Sequence, residues 1–328
     1  MLTSAEIALA GHDLETAEHQ LDLLEQVAVM PPPAELAAAA ALRGDIAFYR
    51  GDMAGAAKAY NRADSFIPTP GTAIRRALLA RSQGRFDTAM EWVHVAAQRD
   101  SLRTPRSMAS YALQFGMIES ASGNFEEAAA HYAEADRLFP GYWLTELYMA
   151  ETQGLLGNFD EAIAVQERIA DELGNPQAMD AAASLYAAQG REGEVRRLTQ
   201  RSTTIWRARA EDMPFAYTAH AFENELAFGQ PQRALRLALE NLANRSYGDA
   251  HILVAEALLA TGQPREARRH LLEAEAQGWR SAPLYARLSE AEELLGNEAA
   301  SQAAGTKARE LNPRIFDPVM SRLWFGHG

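Results

Sequence analysis

The chain contains no cysteine, which removes disulfides, thiolate metal centres and thiol nucleophiles. Lysine is nearly absent too: Lys58 and Lys307 are the only two among 31 basic residues. Positive charge is outweighed overall, with a formal net charge of −13. A nucleic-acid interface needs a basic face to displace counterions from phosphate, so none is expected. No apolar run approaches the roughly 18 residues that span a bilayer, so membrane insertion is not expected. The start, Met1-Leu2-Thr3-Ser4-Ala5-Glu6, lacks the basic and apolar regions of a secretory leader. The expectation is a soluble protein, cytoplasmic by default, and periplasmic or exported if an upstream leader was trimmed. Catalytic signatures are missing as well. There is no adjacent Gly-Lys, no Gly-x-Ser-x-Gly and no His-Glu-x-x-His. We expect no enzyme, no cofactor and no metal.

What is present is a phrase that recurs. Gly123-Asn124-Phe125-Glu126-Glu127-Ala128 returns as Gly157-Asn158-Phe159-Asp160-Glu161-Ala162, with weaker versions from Gly51, Gly84 and Gly262. Together with Gly190, Gly229 and Gly296 these glycines are spaced by 33, 39, 34, 33, 39, 33 and 34 residues. A period of this size marks a stack of like units, each covering its neighbour's apolar face. Alanine-rich composition, with 48 % hydrophobic residues, suits closely packed helices.

Each unit reads as a helix of about fourteen residues, a glycine turn and a second helix. Counting the glycine as position 15, position 8 is Gly44, Ala77, Gly116, Ala150, Ala183, Phe222, Ala255 and Ser289. Position 20 is Ala56, Ala89, Ala128, Ala162, Val195, Ala234, Ala267 and Ser301. Position 27 is Ala63, Ala96, Ala135, Ile169, Ser202, Asn241, Ala274 and Ala308. Small side chains there let two crossing helices approach. Phe86, Phe125 and Phe159 open second helices, and Pro68, Pro140 and Pro313 close them.

This pattern resembles the tetratricopeptide repeat, a 34-residue helix–turn–helix unit with small residues at those places. The resemblance implies an all-α fold, a right-handed α-α superhelix. Its expected division is 1–36 as a partial N-terminal repeat or cap, 37–313 as eight repeats in one solenoid, and 314–328 as a capping helix or tail. Phe222, Val195, Ile169 and Asn241 depart from the pattern and predict looser packing in the fifth and sixth units. The two 39-residue strides fall at Arg99–Arg106 and in a long helix from Glu192 to about Glu211, and predict bends there. Residues 215–318 also resemble the C-terminus of bacterial arrays that are often exported. Ile315, Phe316, Val319, Met320, Leu323 and Trp324 predict a short amphipathic helix covering the last apolar face, or docking on a partner or a second copy.

Isolated polar groups read more plainly as surface. His12 and His19, with Glu15 and Glu18 between, fit an exposed charged face better than a metal site. Glu127 and His131 fit helix support. Arg196, Arg197, Arg201, Arg207 and Arg209 around Trp206 fit a solvated face, with Trp206 packed on the next unit.

The resemblance further implies that the first helix of each unit lines a concave groove. Carried onto this sequence, the groove residues are Phe48, Tyr49, Ile74, Arg75, Leu78, Arg81, Leu113, Gln114, Met117, Leu147, Tyr148, Glu151, His220 and Glu223. Several of these would equally serve packing on neighbouring helices. Ile74, Leu78, Met117, Leu147 and Tyr148 are the expected apolar anchors, with Arg75 and Arg81 engaging an acidic or C-terminal group. Ala41, Asp45, Ile74, Leu78, Leu113 and Met117 replace the carboxylate clamp of chaperone-binding relatives, so that activity is not expected. The leading expectation is a protein-interaction scaffold holding a peptide or helix of a partner. The alternatives are a structural subunit that self-associates through its ends, and a small-molecule or peptide sensor around His220 and Glu223.

Overall fold

The structure, a computed structural model, describes residues 1–27 and 30–322. Leu323 and Trp324 of the expected tail helix lie outside the described residues. Every regular element among the described residues is a helix. Nine antiparallel hairpins follow one another along the chain. They are α1 (Leu2–Ala10) with α2 (Leu14–Val27), α3 (Pro33–Tyr49) with α4 (Met53–Phe66), and α5 (Pro70–Ser82) with α6 (Phe86–Arg99). Next come α7 (Pro105–Ser122) with α8 (Phe125–Leu138), α9 (Trp143–Leu155) with α10 (Phe159–Leu173), and α11 (Pro176–Ala188) with α12 (Glu192–Asp212). The last three are α13 (Pro214–Phe228) with α14 (Pro231–Asn244), α15 (Gly248–Ala260) with α16 (Pro264–Ala276), and α17 (Ala282–Leu294) with α18 (Glu298–Leu311). A short α19 (Pro318–Arg322) ends the described chain.

Local chemistry sets the helix boundaries. Proline occupies the first position of α5, α7 and α11, where its missing N–H is no loss. Thr69, Thr104 and Asn175 cap those helices by accepting backbone amides. Seven of the eight phased glycines have a left-handed φ, from 67° at Gly84 to 90° at Gly157, and so end each first helix without a Cβ penalty. Gly229 is the exception, at φ −116°. There the buried Glu225 carboxylate folds back to accept from the Gln230 amide at 3.4 Å and takes over the turn's role.

The small-residue rule has a direct cause. A Cβ on Gly44 would run into the Tyr60 ring, and one on Gly116 into Tyr132. Where the pattern departs, the structure corrects the expectation of looser packing. Phe222, Ile169 and Asn241 are buried as completely as the alanines they replace, and only Val195 is left partly exposed. The 39-residue strides are taken up by the Asp100–Thr104 loop and by the 21-residue α12. In that loop the Asp100 carboxylate accepts from Leu102 N at 3.0 Å and Arg103 N at 3.2 Å.

The array also closes on itself. Intra-hairpin turns lie on one edge of the stack and inter-hairpin loops on the other. The turns of the first four hairpins meet the loops of the last three. Asn244 Nδ2 donates to His12 O at 2.9 Å, Ser246 Oγ to Arg50 O at 3.3 Å, and Arg280 N to Ser82 O at 2.8 Å. Leu311 lies against Gly84 and Asn312 against Gly123, and Arg314 sits over the Phe125 ring at 4.6 Å. Phe48, Met53 and Tyr60 share one core with Phe222, Leu253, Trp279 and Leu284. The superhelix thus completes a turn and rests its late hairpins on its early ones.

Two expectations change as a result. His12 is no surface residue: its ring packs edge-on against Tyr49 at 5.1 Å, and burial, with Arg245 and His220 nearby, holds its pKa down to about 4. The tail covers more than the last hairpin: Ile315 packs on the late core and Phe316 lies under Arg309 of α18. α19 packs on α11, in the middle of the array, and Val319 joins the core around Leu147 and Leu185.

Candidate functional site: a closed channel with a charged wall

Among the residues expected to line the groove, the apolar ones are largely spent on packing. Phe48 and Leu113 are buried, and Leu147 is fully so. Each first helix is wedged between its own second helix and both neighbouring hairpins, which absorbs its large apolar side chains. In this conformation those three are core residues and offer a ligand no surface, which corrects the expectation that Leu147 is an apolar anchor. Ile74, Leu78, Met117 and Tyr148 are half-buried at the margins of separate clusters. Tyr148 stacks on Tyr132 with ring centroids 5.6 Å apart. Gln114 donates to the Met117 sulfur at 3.8 Å. Tyr49 meets Tyr247 edge-on at 5.4 Å across the closure.

The polar groups are what the closure brings together. The Asp45 carboxylate takes Arg75 Nε through both oxygens, at 2.8 and 2.9 Å, and the Tyr60 hydroxyl at 3.0 Å. Arg75 is therefore neutralised at home, which corrects its expected role as an anchor for an acidic group. Arg81 differs: it makes no hydrogen bond or ion pair with any described residue. It lies among Tyr148, Tyr132 and Asp249, and burial pulls its guanidinium below the ordinary value. Protein surrounds it, yet its side chain stays partly accessible.

Acidic groups share this inner face. Burial, reinforced by Glu223, raises the Asp249 carboxyl to about 6, against the pull of Arg245, Tyr247 and Arg81. Glu256 is raised to about 7 by burial in spite of its bond to Arg287 at 3.0 Å. Asp180 is likewise raised to about 6 by burial, while accepting from Trp206 Nε1 at 2.7 Å and Asn224 Nδ2 at 2.8 Å. His220 stacks on Trp206 at 5.1 Å and reaches Glu223 at 3.4 Å. Glu151 is buried.

Asp180, Asp249 and Arg245 were missed. Asp249 and Asp180 occupy positions 2 and 5 of their units, groove positions by the same phasing. Carrying that phasing through every unit would have found both, whereas Arg245 sits in a loop outside it. The arginine-rich α12 is paired with acids: Arg196 with Glu192 at 3.2 Å, Arg201 with Asp171 at 3.1 Å, and Arg207 with Glu225 at 2.8 Å.

No protein-family model matches the chain, and no curated protein does. Solved structures do resemble it. A Rap protein complexed with competence and sporulation factor aligns over 94 % of this chain and 96 % of its own, at 9 % identity and a TM-score of 0.54. Yeast Tom70 aligns over 95 % of this chain at 15 % identity and a TM-score of 0.53. The fold is the tetratricopeptide-type helical array. The chain spans 62 % of the Tom70 chain. A tetratricopeptide repeat protein from Parabacteroides merdae aligns over 79 % of this chain and 99 % of its own, at 13 % identity and a TM-score of 0.46.

Proposed function

We propose that this array is a non-enzymatic scaffold that holds a segment of a partner protein, an extended peptide or a helix, in its closed channel. One observation carries the reading: Arg81 is a charged, largely enclosed side chain on the inner face that forms no hydrogen bond or ion pair with any described residue. Removing a guanidinium from water without pairing it is costly, and a carboxylate supplied by a ligand would recover that cost through charge-assisted hydrogen bonds. The hydroxyls of Tyr132 and Tyr148 flank the same place. Asp249 lies beside Arg81, so a ligand carboxylate would approach from the Tyr132 and Tyr148 side, and a basic group of the ligand would be drawn toward Asp249 and Glu223. The Rap protein, solved with competence and sporulation factor, is a precedent for an array of this fold holding a ligand. His220 favours no separate small-molecule site, since its ring is engaged by Trp206 and Glu223.

The test is affinity capture with the tagged wild type and Arg81→Gln. The substitution should lose the captured partner while melting temperature stays within a few degrees of the wild type. Synthetic peptides from that partner should then bind about tenfold more weakly when their carboxylate is amidated, the size of one charge-assisted bond. Full retention of every partner by Arg81→Gln would remove the proposal.

A further inference from the structure

The seam that closes the superhelix uses chemistry that every unit of the array owns. Its three hydrogen bonds onto the early turns all end on main-chain carbonyls, those of His12, Arg50 and Ser82. Such carbonyls lie at the C-terminal end of a first helix, where helix geometry leaves them without intrahelical partners. The seam's ion pair joins Arg314 to Glu126 at 3.7 Å, and Glu126 is an acidic residue in the first turn of a second helix.

The later turns repeat these features with no described residue packed on their glycines. At Gly157, Gly190, Gly262 and Gly296 an added Cβ would meet open space. Acidic residues again occupy the first turn of the following helix: Asp160 and Glu161, Glu192 and Glu194, Glu266, and Glu298. On the complementary edge, no described turn residue is hydrogen-bonded to the early inter-hairpin loops. Exposed large apolar side chains concentrate there, at Leu102 (81 %), Phe139 (38 %), Tyr142 (37 %), Leu173 (55 %) and Met213 (52 %). Scattered exposed apolar residues are ordinary, but here they lie along one edge, beside Arg103 and Arg106, which form no ion pair with any described residue.

We propose that a second copy of this chain docks its early inter-hairpin loops onto the free late turns, continuing between molecules the seam found within one. The occupant is a second copy because the free edges match in kind the two edges already joined in the seam: carbonyl-bearing acidic turns on one side, and on the other apolar loops, one of which carries Arg103 beside Arg106. The two surfaces differ, so the contact is heterologous. Repetition gives an open chain unless the rotation per subunit happens to close a ring. This goes beyond the scaffold reading and does not depend on it, since the channel and Arg81 are untouched.

Sedimentation velocity of the full-length protein tests this across a hundredfold range of concentration. The wild type should show weight-average mass rising with concentration, and more weakly at high salt. A loop-edge variant, Leu102→Glu with Arg103→Glu, and a turn-edge variant, Asp160→Arg with Glu161→Arg, should each need at least about tenfold more protein to associate. Mixed together, the two variants should form a 1:1 complex through their one intact pair of edges, which also shows that both remain folded. A wild type monomeric at every concentration would overturn the proposal. So would a symmetric dimer unaffected by either variant, or variants that fail to complement.

Discussion

Residues 123–128 and 157–162 spell nearly the same phrase and fold locally in the same way. Gly123 and Gly157 take φ of 84° and 90°. Asn124 and Asn158 each donate a backbone amide to the residue five earlier, both at 2.9 Å. Their side-chain amides reach that same residue's side chain, at 2.7 and 2.6 Å. Their surroundings part company completely. Gly123 is buried under Asn312 and Phe125 is fully buried beneath Arg314, whereas Gly157 is exposed and Phe159 only partly covered. One copy is a joint within a hairpin and also a bearing for the next superhelical turn. The other is a joint alone. The phrase specifies a turn, and position along the superhelix decides whether the turn also becomes an interface.

The phenylalanine pair should break this equivalence most visibly. Phe125→Ala empties a closed site and should cost about 3–5 kcal/mol. Phe159→Ala removes a ring already partly in water and should cost about 1–2 kcal/mol. Urea midpoints read the difference, and equal losses would show that the seam adds nothing to Phe125. Next in size is the glycine pair. Alanine at either position carries the left-handed penalty of about 1–2 kcal/mol. At Gly123 the new methyl must also displace the Asn312 amide. That side chain is buried and its Oδ1 accepts from Arg314 N at 2.9 Å, so displacing it should add about 1 kcal/mol over Gly157→Ala.

The glycine period, the small residues at positions 8, 20 and 27, and the length of α12 were all legible, because each is set within one or two hairpins. Closure was not. It follows from the small rotation between successive hairpins summed over six or seven of them, and no single residue encodes that sum. Its hydrogen bonds end on carbonyls of His12, Arg50 and Ser82, which any sequence supplies. His12 therefore read as surface, and the tail helix read as a cap on α17 and α18 when it crosses to α11. Groove phasing named Arg81, Tyr148 and Glu223, which the proposed function keeps as its candidates. The pairing of Arg75 with Asp45 and the burial of Leu147 depend on how neighbouring first helices share space.

Closure also concentrates the shifted titrations, which sharpens the comparison by pH. Asp249 and Glu256, raised to about 6 and about 7, bind protons more tightly folded than unfolded. Their contribution to stability is therefore present at low pH and lost as pH rises through those values. His12 and His251, both lowered to about 4, act in the opposite sense, over the range in which the unfolded histidines lose their protons around pH 6.5. Between about pH 6.5 and 8 the carboxylates' loss, about 1 kcal/mol, is largely offset by the histidines' gain, so the wild type should change little. Asp249→Asn with Glu256→Gln removes the falling part and should leave stability rising by about 1 kcal/mol across that range. Phe159→Ala should leave the wild-type profile unchanged. A double carboxamide variant whose profile stays as flat as the wild type would show that Asp249 and Glu256 are not the opposing groups.

The smallest expected effect tests what the seam is made of. Glu126 meets Arg314 at 3.7 Å with its side chain 67 % exposed, a setting in which an ion pair contributes about 0.5 kcal/mol or less and fades with salt. Glu126→Gln should therefore differ from Asp160→Asn by no more than that, and the difference should vanish at 1 M salt. Arg314→Ala should cost more than Glu126→Gln at any salt. It strips the guanidinium from the face of Phe125, a contact worth about 1 kcal/mol, and removes the methylene stem packed beside it. If the two substitutions proved equal and equally salt-sensitive, the early and late hairpins would be joined by surface charge. The greater loss at Arg314 instead identifies the join as buried contact and main-chain hydrogen bonding, the kind of join that every later turn of the array could form again.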